Sequence, residues 1–220
     1  MNKQTSSAEG LADWVDPKRT AVVVIDIQVD FASPEGVLGK AGVDMSITEP
    51  AVAAASKLVE KARDAGVPVI FVGLQTDEAT DSPVWGEWRR RKSGVDEGGG
   101  LCRTGTTGAD FFGPQPLPGE TVVPKLRYSG FFGTSLDAIL KARNIDTIVA
   151  CGLTTECCVD CTVRDAFHLD YFVYVPTDAC AAYDEDIHVS ALKSLELNCA
   201  TLITTDDLFG AWAGQTESTK

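Results

Sequence analysis

The sequence predicts an α/β protein, a three-layer α/β/α sandwich around a six-stranded, mainly parallel sheet. Three observations predict it. Short apolar runs rich in β-branched residues alternate with longer amphipathic runs, the pattern of strand–helix–strand units joined by right-handed crossovers. The first run, TAVVVID, is apolar almost throughout, as strands covered on both faces are. The 220 residues carry no internal repeat and no linker-like stretch, and they lie within the reach of a single core. One domain is therefore expected over 1–220, with loose ends at 1–18 and 213–220.

The elements follow in order. Residues 20–26 form the first strand. A helix over 48–65 is announced by Thr48 as cap, Glu49 as early acid and Pro50 in the first turn, and is stopped by Gly66. VPVIFVG, residues 67–73, is the second strand. Residues 74–119 lack periodicity and are rich in Gly, Pro, Asp and Arg; they read as a long excursion with short helical pieces, and loops of such length are usually functional. Alternation then resumes, with strands over 120–124, 146–151, 171–176 and 200–204. Helices are expected over 134–143, 156–169, 185–197 and 206–212.

Composition narrows the function. Hydrophobic residues make up 44% and charged residues 23%, an ordinary globular balance. The net charge is −13, which repels phosphate backbones and anionic lipid, so neither a nucleic-acid partner nor a membrane surface is expected. Residues 1–20 lack the apolar core of a signal peptide, and no apolar run approaches the ~20 residues of a membrane span. A cytoplasmic location is expected on those grounds. The seven cysteines, an odd number in apolar or helical contexts, read as reduced thiols.

In open parallel sheets, ligands bind beyond the carboxyl ends of the strands, and three such ends carry reactive residues. Asp26 closes the first strand directly after VVVI, a costly place for a carboxylate without a partner. Lys125 follows the third strand; alone it would read as a solvated charge. Cys158 falls in the first helical turn after GLTTEC, where unpaired N–H groups and the macrodipole favour a thiolate. Together they describe a cysteine nucleophile, an acid–base carboxylate and a lysine that holds both, with the turn before Cys158 supplying N–H groups for an oxyanion.

Three segments carry a resemblance. VVVIDIQVDF, VVPKLRYSGFFGTSLDAIL and GLTTECCVDCTVRDA resemble signature segments of the isochorismatase-like cysteine hydrolases, over about residues 20–212. The resemblance implies Cys158 as nucleophile, not Cys157 or Cys161, with Asp26 and Lys125 as its partners. It implies a cis peptide between Leu153 and Thr154 that aims the Thr154 and Cys158 amides at the oxyanion. Glu156 stands where the family usually has Asn or Asp. A homo-oligomer, dimer or tetramer, is also implied.

Nicotinamidases of this family hold a metal with closely spaced His residues after the second strand. This chain has only His168 and His188, both far downstream, so no metal and no cofactor is expected. Retention of Cys158 and the wording KLRYSGFFGTSLD resemble ureidoacrylate and N-carbamoyl amidohydrolases. The implied reaction is hydrolysis of a C–N bond in a small ureido or amide compound through a cysteine thioester. Isochorismate cleavage and a non-catalytic interaction role are the alternatives. The substrate pocket is expected to draw on Phe31, Gln75, Trp85, Trp88, Arg89, Tyr128 and Glu156. For Phe31 and Tyr128, core packing is an equal alternative. Most of the run Arg89, Arg90, Arg91, Lys92 reads as a solvated helix face, with one arginine clamping a substrate carboxylate.

Overall fold

All six residues of the first strand, β1 (Thr20–Ile25), are buried, because a β-branched run fits the pleat of a sheet covered on both faces. The computed structural model describes residues 10–93 and 100–217. A short helix α1 (Leu11–Trp14) precedes β1, and α2 (Val29–Ala32), α3 (Val37–Lys40) and α4 (Glu49–Asp64) follow it. Then come β2 (Val69–Leu74), α5 (Pro83–Ser93), β3 (Thr121–Lys125), α6 (Leu136–Ala142) and β4 (Thr147–Leu153). The chain continues through α7 (Asp160–His168), β5 (Phe172–Pro176), β6 (Cys180–Ala181), α8 (Glu185–Asn198), β7 (Thr201–Ile203) and α9 (Thr205–Glu217).

The sheet order is β3-β2-β1-β4-β5-β7, with β6 paired to the end of β4, and every pairing is parallel. It grows one way from β1 to β2 and the other way from β4 to β5. Right-handed crossovers therefore put α4 on one face and α6, α7 and α8 on the other. On the first face, α4 packs across β1, β2 and β4, and α9 packs on α4 and α1. The point where the order reverses lies between β1 and β4, the usual place for a ligand crevice.

The sheet has seven strands against the six expected, since the two-residue β6 is too short to leave a pattern. Thr48 is the N-cap residue of α4, as expected, but its side chain makes no capping bond. A 3₁₀ turn (Met45–Ile47) runs straight into the helix, and the Thr48 hydroxyl donates to the Met45 carbonyl at 2.9 Å. Gly66 does stop α4, at φ 74°. Of the ends expected to be loose, 1–9 and 218–220 lie outside the described residues, and the described parts include the helical turn Leu11–Trp14 and the last residues of α9. Leu11 and Val15 join the core, and Trp212 Nε1 donates to the Val15 carbonyl at 3.0 Å. α9 continues to Glu217.

The largest departure from expectation is at the nucleophile's turn. β4 runs to Leu153, two residues past the expected end, and the helix expected from 156 begins as a π turn (Thr155–Val159) before α7. The Thr154 carbonyl accepts from the N–H groups of Cys157 and Val159, at 3.1 and 3.2 Å. Those two bonds bracket Cys158 and use neither of its backbone groups. Gly152 permits the approach: its φ is 135°, and a Cβ there would collide with the Ile25 carbonyl of β1.

Candidate active site

Asp26, the residue after β1, has φ 50°, a left-handed conformation that an Asp tolerates better than most side chains. Its N–H donates to the Val72 carbonyl, and its side chain turns into the sheet's carboxyl edge, where Leu74 N–H donates to Oδ1 at 3.0 Å. Lys125, paired in register with Leu74 across β2 and β3, brings Nζ to 2.7 Å from Asp26 Oδ2. The two side chains are 0% and 1% exposed. Lys125 Nζ also donates to the Arg127 carbonyl at 2.8 Å and to Cys158 Sγ at 3.4 Å. The lysine thus sits between the carboxylate and the sulfur. The 2.7 Å ion pair with Lys125 is the contact that satisfies the buried Oδ2.

Burial disfavours the Lys125 ammonium, but Asp26 and Cys158 beside it prevail and raise its pKa above the ordinary lysine value. The Cys158 thiol is pushed well above the ordinary value of 9.0 by its contact with Cys157, by burial and by the charge of Asp26, which together outweigh Lys125. Burial, Cys157 and the Asp26 charge thus work against the thiolate that the helix start and Lys125 were expected to favour. The π turn removes the α-helical first turn on which that expectation relied, and the buried carboxylate opposes a second negative charge.

A cavity of about 150 Å³ lies over Cys158, with Lys125, Thr154 and Cys157 at its base. At roughly 30 Å³ per water it has room for about five waters, which suits a small compound. Of the expected pocket residues, Phe31, Trp85, Arg89 and Tyr128 line it. Trp85 Nε1 donates to Tyr128 Oη at 2.8 Å, the two rings meet edge-on at 4.9 Å, and the Arg89 guanidinium lies 5.1 Å from the centre of the Trp85 ring. Trp85 and Arg89 are four residues apart on α5 and so share its inner face.

Gln75, Trp88 and Glu156 do not line it. Gln75 serves the sheet, its N–H donating to the Lys125 carbonyl at 3.0 Å. Trp88 faces outward, 51% exposed, with Lys92 Nζ 5.0 Å over its ring. Glu156 is exposed; it accepts from the Thr154 hydroxyl at 2.9 Å and borders a groove against α8 instead. Arg90 and Arg91 are exposed and paired with Glu87, as expected for most of that basic run. The Leu153–Thr154 peptide is cis, as the resemblance implied.

Sequence reasoning missed Leu38, Leu74, Leu101 and Tyr183, which also line the cavity. It also missed two buried polar supports. Gln28 donates to the Leu74 and Ala109 carbonyls at 2.9 and 2.7 Å and accepts from Leu74 N–H at 2.8 Å. Asp30 accepts from the N–H groups of Val37 and Cys102 at 3.0 and 2.7 Å, tying α3 and the excursion to α2. The available signal was the polar alternation in DIQVD directly after a buried strand. Among the described residues, no three His, Cys, Asp or Glu side chains converge as a metal site requires. All seven cysteines are free thiols, and no described helix is long and apolar enough to cross a membrane.

Comparison with known proteins adds the following. Residues 20–207 match the family described as Isochorismatase domain. A ureidoacrylate amidohydrolase RutB of Azorhizobium caulinodans is 39% identical over 207 residues, covering 89% of this chain and 91% of that protein. The protein of the same name from Pseudomonas syringae pv. syringae is 39% identical over 202 residues, 87% of this chain and 82% of its own length. Among solved structures, a cysteine hydrolase from Pseudomonas syringae pv. phaseolicola 1448A superposes with a TM-score of 0.78 at 30% identity, covering 91% of this chain and 95% of that one. An N-carbamoylsarcosine amidase from Thermoplasma acidophilum superposes with a TM-score of 0.69 at 30% identity, covering 86% and 97%.

Proposed function

The chain belongs to the isochorismatase family, and from that premise we propose that it is a metal-independent cysteine amidohydrolase that cleaves a C–N bond of a small ureido or amide compound. The observation that carries the reading is the buried Asp26–Lys125–Cys158 contact chain at the floor of a cavity sized for a small molecule. The names of its relatives, ureidoacrylate amidohydrolase and N-carbamoylsarcosine amidase, agree with it.

The chemistry follows from surroundings of the sulfur that oppose a thiolate. A thiol is a weak nucleophile, so its proton must leave as the sulfur attacks. The Asp26 carboxylate, joined to the sulfur through Lys125, takes that proton. Lys125 stabilises the sulfur and the carboxylate together during the transfer. Cys158 Sγ bonds to the substrate carbonyl carbon, and the negative charge moves to its oxygen. The backbone N–H groups of Thr154 and Cys158 face that oxygen in this account. The C–N bond then breaks, Asp26 returns the proton to the nitrogen, and amine or ammonia leaves. Water, deprotonated by Asp26, adds to the thioester carbon; the C–S bond breaks, the acid leaves, and Asp26 returns the proton to the sulfur.

A panel of ureido acids and simple amides assayed for ammonia, beside a pyruvate assay with isochorismate, tests the reading. Ureidoacrylate is the first compound to assay. Ammonia without pyruvate is expected. Cys158→Ala should abolish release, while Cys157→Ala and Cys161→Ala should keep it. Pyruvate release that survives in Cys158→Ala would instead make this a vinyl-ether hydrolase.

A further inference from the structure

His188 takes no part in the chemistry above, yet it reaches the nucleophile's turn. Its Nδ1 lies 2.8 Å from the Thr155 hydroxyl, and Thr155 is completely buried. A buried hydroxyl needs a partner, and here the partner comes from a different element. Thr155 opens the π turn, and the Asp160 N–H donates to its carbonyl. The Val159 N–H donates likewise to the Thr154 carbonyl. These two bonds enclose Cys158, so the placing of Thr155 sets the placing of the sulfur. The helix that carries His188, α8, packs on the π turn and is itself anchored at three points. Asp184 caps its start by accepting from Ile187 N–H at 2.9 Å. Tyr183, one residue earlier, lines the cavity and donates to the Phe31 carbonyl at 2.6 Å. Farther along, the Ser194 hydroxyl accepts from Arg164 of α7 at 2.9 Å. The contact between His188 and Thr155 therefore links a fixed helix to the turn.

We propose that His188 is a positioning residue, which acts through Thr155 to hold the π turn, and with it Cys158 Sγ, in place against Lys125. His188 does not line the cavity, so its influence falls on the rate of attack and not on substrate binding. A displacement of about 1 Å at a reacting atom can cost ~100-fold in rate. The influence on rate rests on the amidohydrolase reading; the hold on the turn does not. Two substitutions separate the bond from the shape. Asn places an amide atom where the ring carries Nδ1 and can accept or donate there, so it keeps the bond whichever ring nitrogen holds the proton. Leu keeps the branched shape and removes the bond.

The test compares wild type with His188→Leu, His188→Asn, Thr155→Val and the Thr155→Val/His188→Leu double variant, each assayed well below its own Tm. With a ureido or amide substrate, His188→Leu should lower kcat about ten- to a hundredfold and leave KM nearly unchanged. His188→Asn should restore most of the rate. Thr155→Val should lose as much as His188→Leu, and the double variant no more than either, as two residues acting through one bond do. Hydrogen exchange over 154–159, followed by mass spectrometry, supplies a readout independent of turnover. It should quicken about three- to tenfold in His188→Leu, the effect of losing one ordinary hydrogen bond. It should return in His188→Asn and leave β1 unchanged. A merely structural histidine would loosen β1 along with the turn and leave kcat of the folded enzyme unmoved. Wild-type kcat in folded His188→Leu, additive losses in the double variant, or unaltered exchange over 154–159 would each overturn the positioning role. If His188→Leu does not fold, Thr155→Val against Thr155→Ser carries the same comparison. Quickened exchange in a protein that hydrolyses no urea or amide would leave the hold on the turn standing and sink the amidohydrolase reading; an active enzyme indifferent to His188→Leu would do the reverse.

Discussion

The surroundings of Cys158 oppose a thiolate, and this sets what its neighbours must do in the proposed reaction. Burial, Cys157 and Asp26 all hold its pKa above the ordinary 9.0. The thiolate fraction in the free enzyme is therefore small near neutrality and grows about tenfold per pH unit until the pKa is reached. Iodoacetamide labelling of Cys158, resolved from Cys157 by peptide fragmentation, should be slow at pH 7 and still rising above pH 9. A plateau below pH 8 would mean a resting thiolate. Asp26→Asn keeps the shape but cannot carry the proton. Positioned acid–base groups contribute about 10²–10⁴-fold, so kcat should fall at least about a hundredfold. The substitution also strands a buried Lys125, and breaking a buried pair costs about 3–5 kcal/mol, so a thermal melt must accompany the rate. If kcat stays above about a tenth of wild type, outside that expected range, the proton-transfer role is wrong. Of these residues, Asp26 was legible in the sequence because a carboxylate ending an apolar strand demands a partner. Lys125 was not legible alone. Its burial comes from register, since pairing with Leu74 of β2 carries it to the sheet's inner edge, and register between strands separated by a long excursion leaves no local pattern.

At the scale of elements, the nucleophile's position depends on how β4 hands over to α7. Thr162, in the first turn of α7, donates to the Cys158 carbonyl and accepts from Gly130 N–H at 2.9 Å. It therefore couples the cysteine's turn to the loop that carries Tyr128. Thr162→Val keeps the volume and removes both bonds. An unsatisfied buried donor costs about 1–3 kcal/mol, so denaturant unfolding should show a loss of that size. Activity should fall with it, and Thr162→Ser should restore both. Unchanged stability and rate in Thr162→Val would show that the bracket is dispensable. The strand and the helix were legible here from their apolar period. The π turn between them was not, because nothing in the order Thr-Thr-Glu-Cys-Cys separates an i→i−5 turn from an ordinary first turn. The same limit applies to α5. The composition of 74–119 announced a functional excursion, but only the three-dimensional course of the helix shows that Trp85 and Arg89 face the cavity while Trp88 faces outward.

For the whole molecule, the alternation of runs specified a parallel sheet covered on both faces, and the crevice at its carboxyl edge followed from topology. Asp26 and the Cys158 turn stand at the ends of β1 and β4, the two strands that flank the reversal of strand order. Lys125 reaches the same place from the outer strand β3. Tyr183 and Leu38 were not legible, because they arrive from a loop and from the one-turn helix α3, segments too short to record a periodicity. The proposed chemistry draws its proton transfer and charge stabilisation from these side chains alone. Exhaustive dialysis against chelator should therefore leave kcat unchanged. A loss restored by a divalent cation would overturn the metal-independent mechanism.

The central claim is that the sulfur of Cys158 bonds to the substrate carbon, and trapping that bond tests it most directly. Acid-quenching the enzyme during steady turnover of a small ureido or amide substrate, followed by digestion and fragment-resolved mass spectrometry, locates any acyl or carbamoyl adduct. The account predicts an adduct on Cys158, absent from Cys158→Ala and enriched when hydrolysis of the thioester is slowed. An adduct on Cys157 during turnover, or full turnover by folded Cys158→Ala, would contradict it.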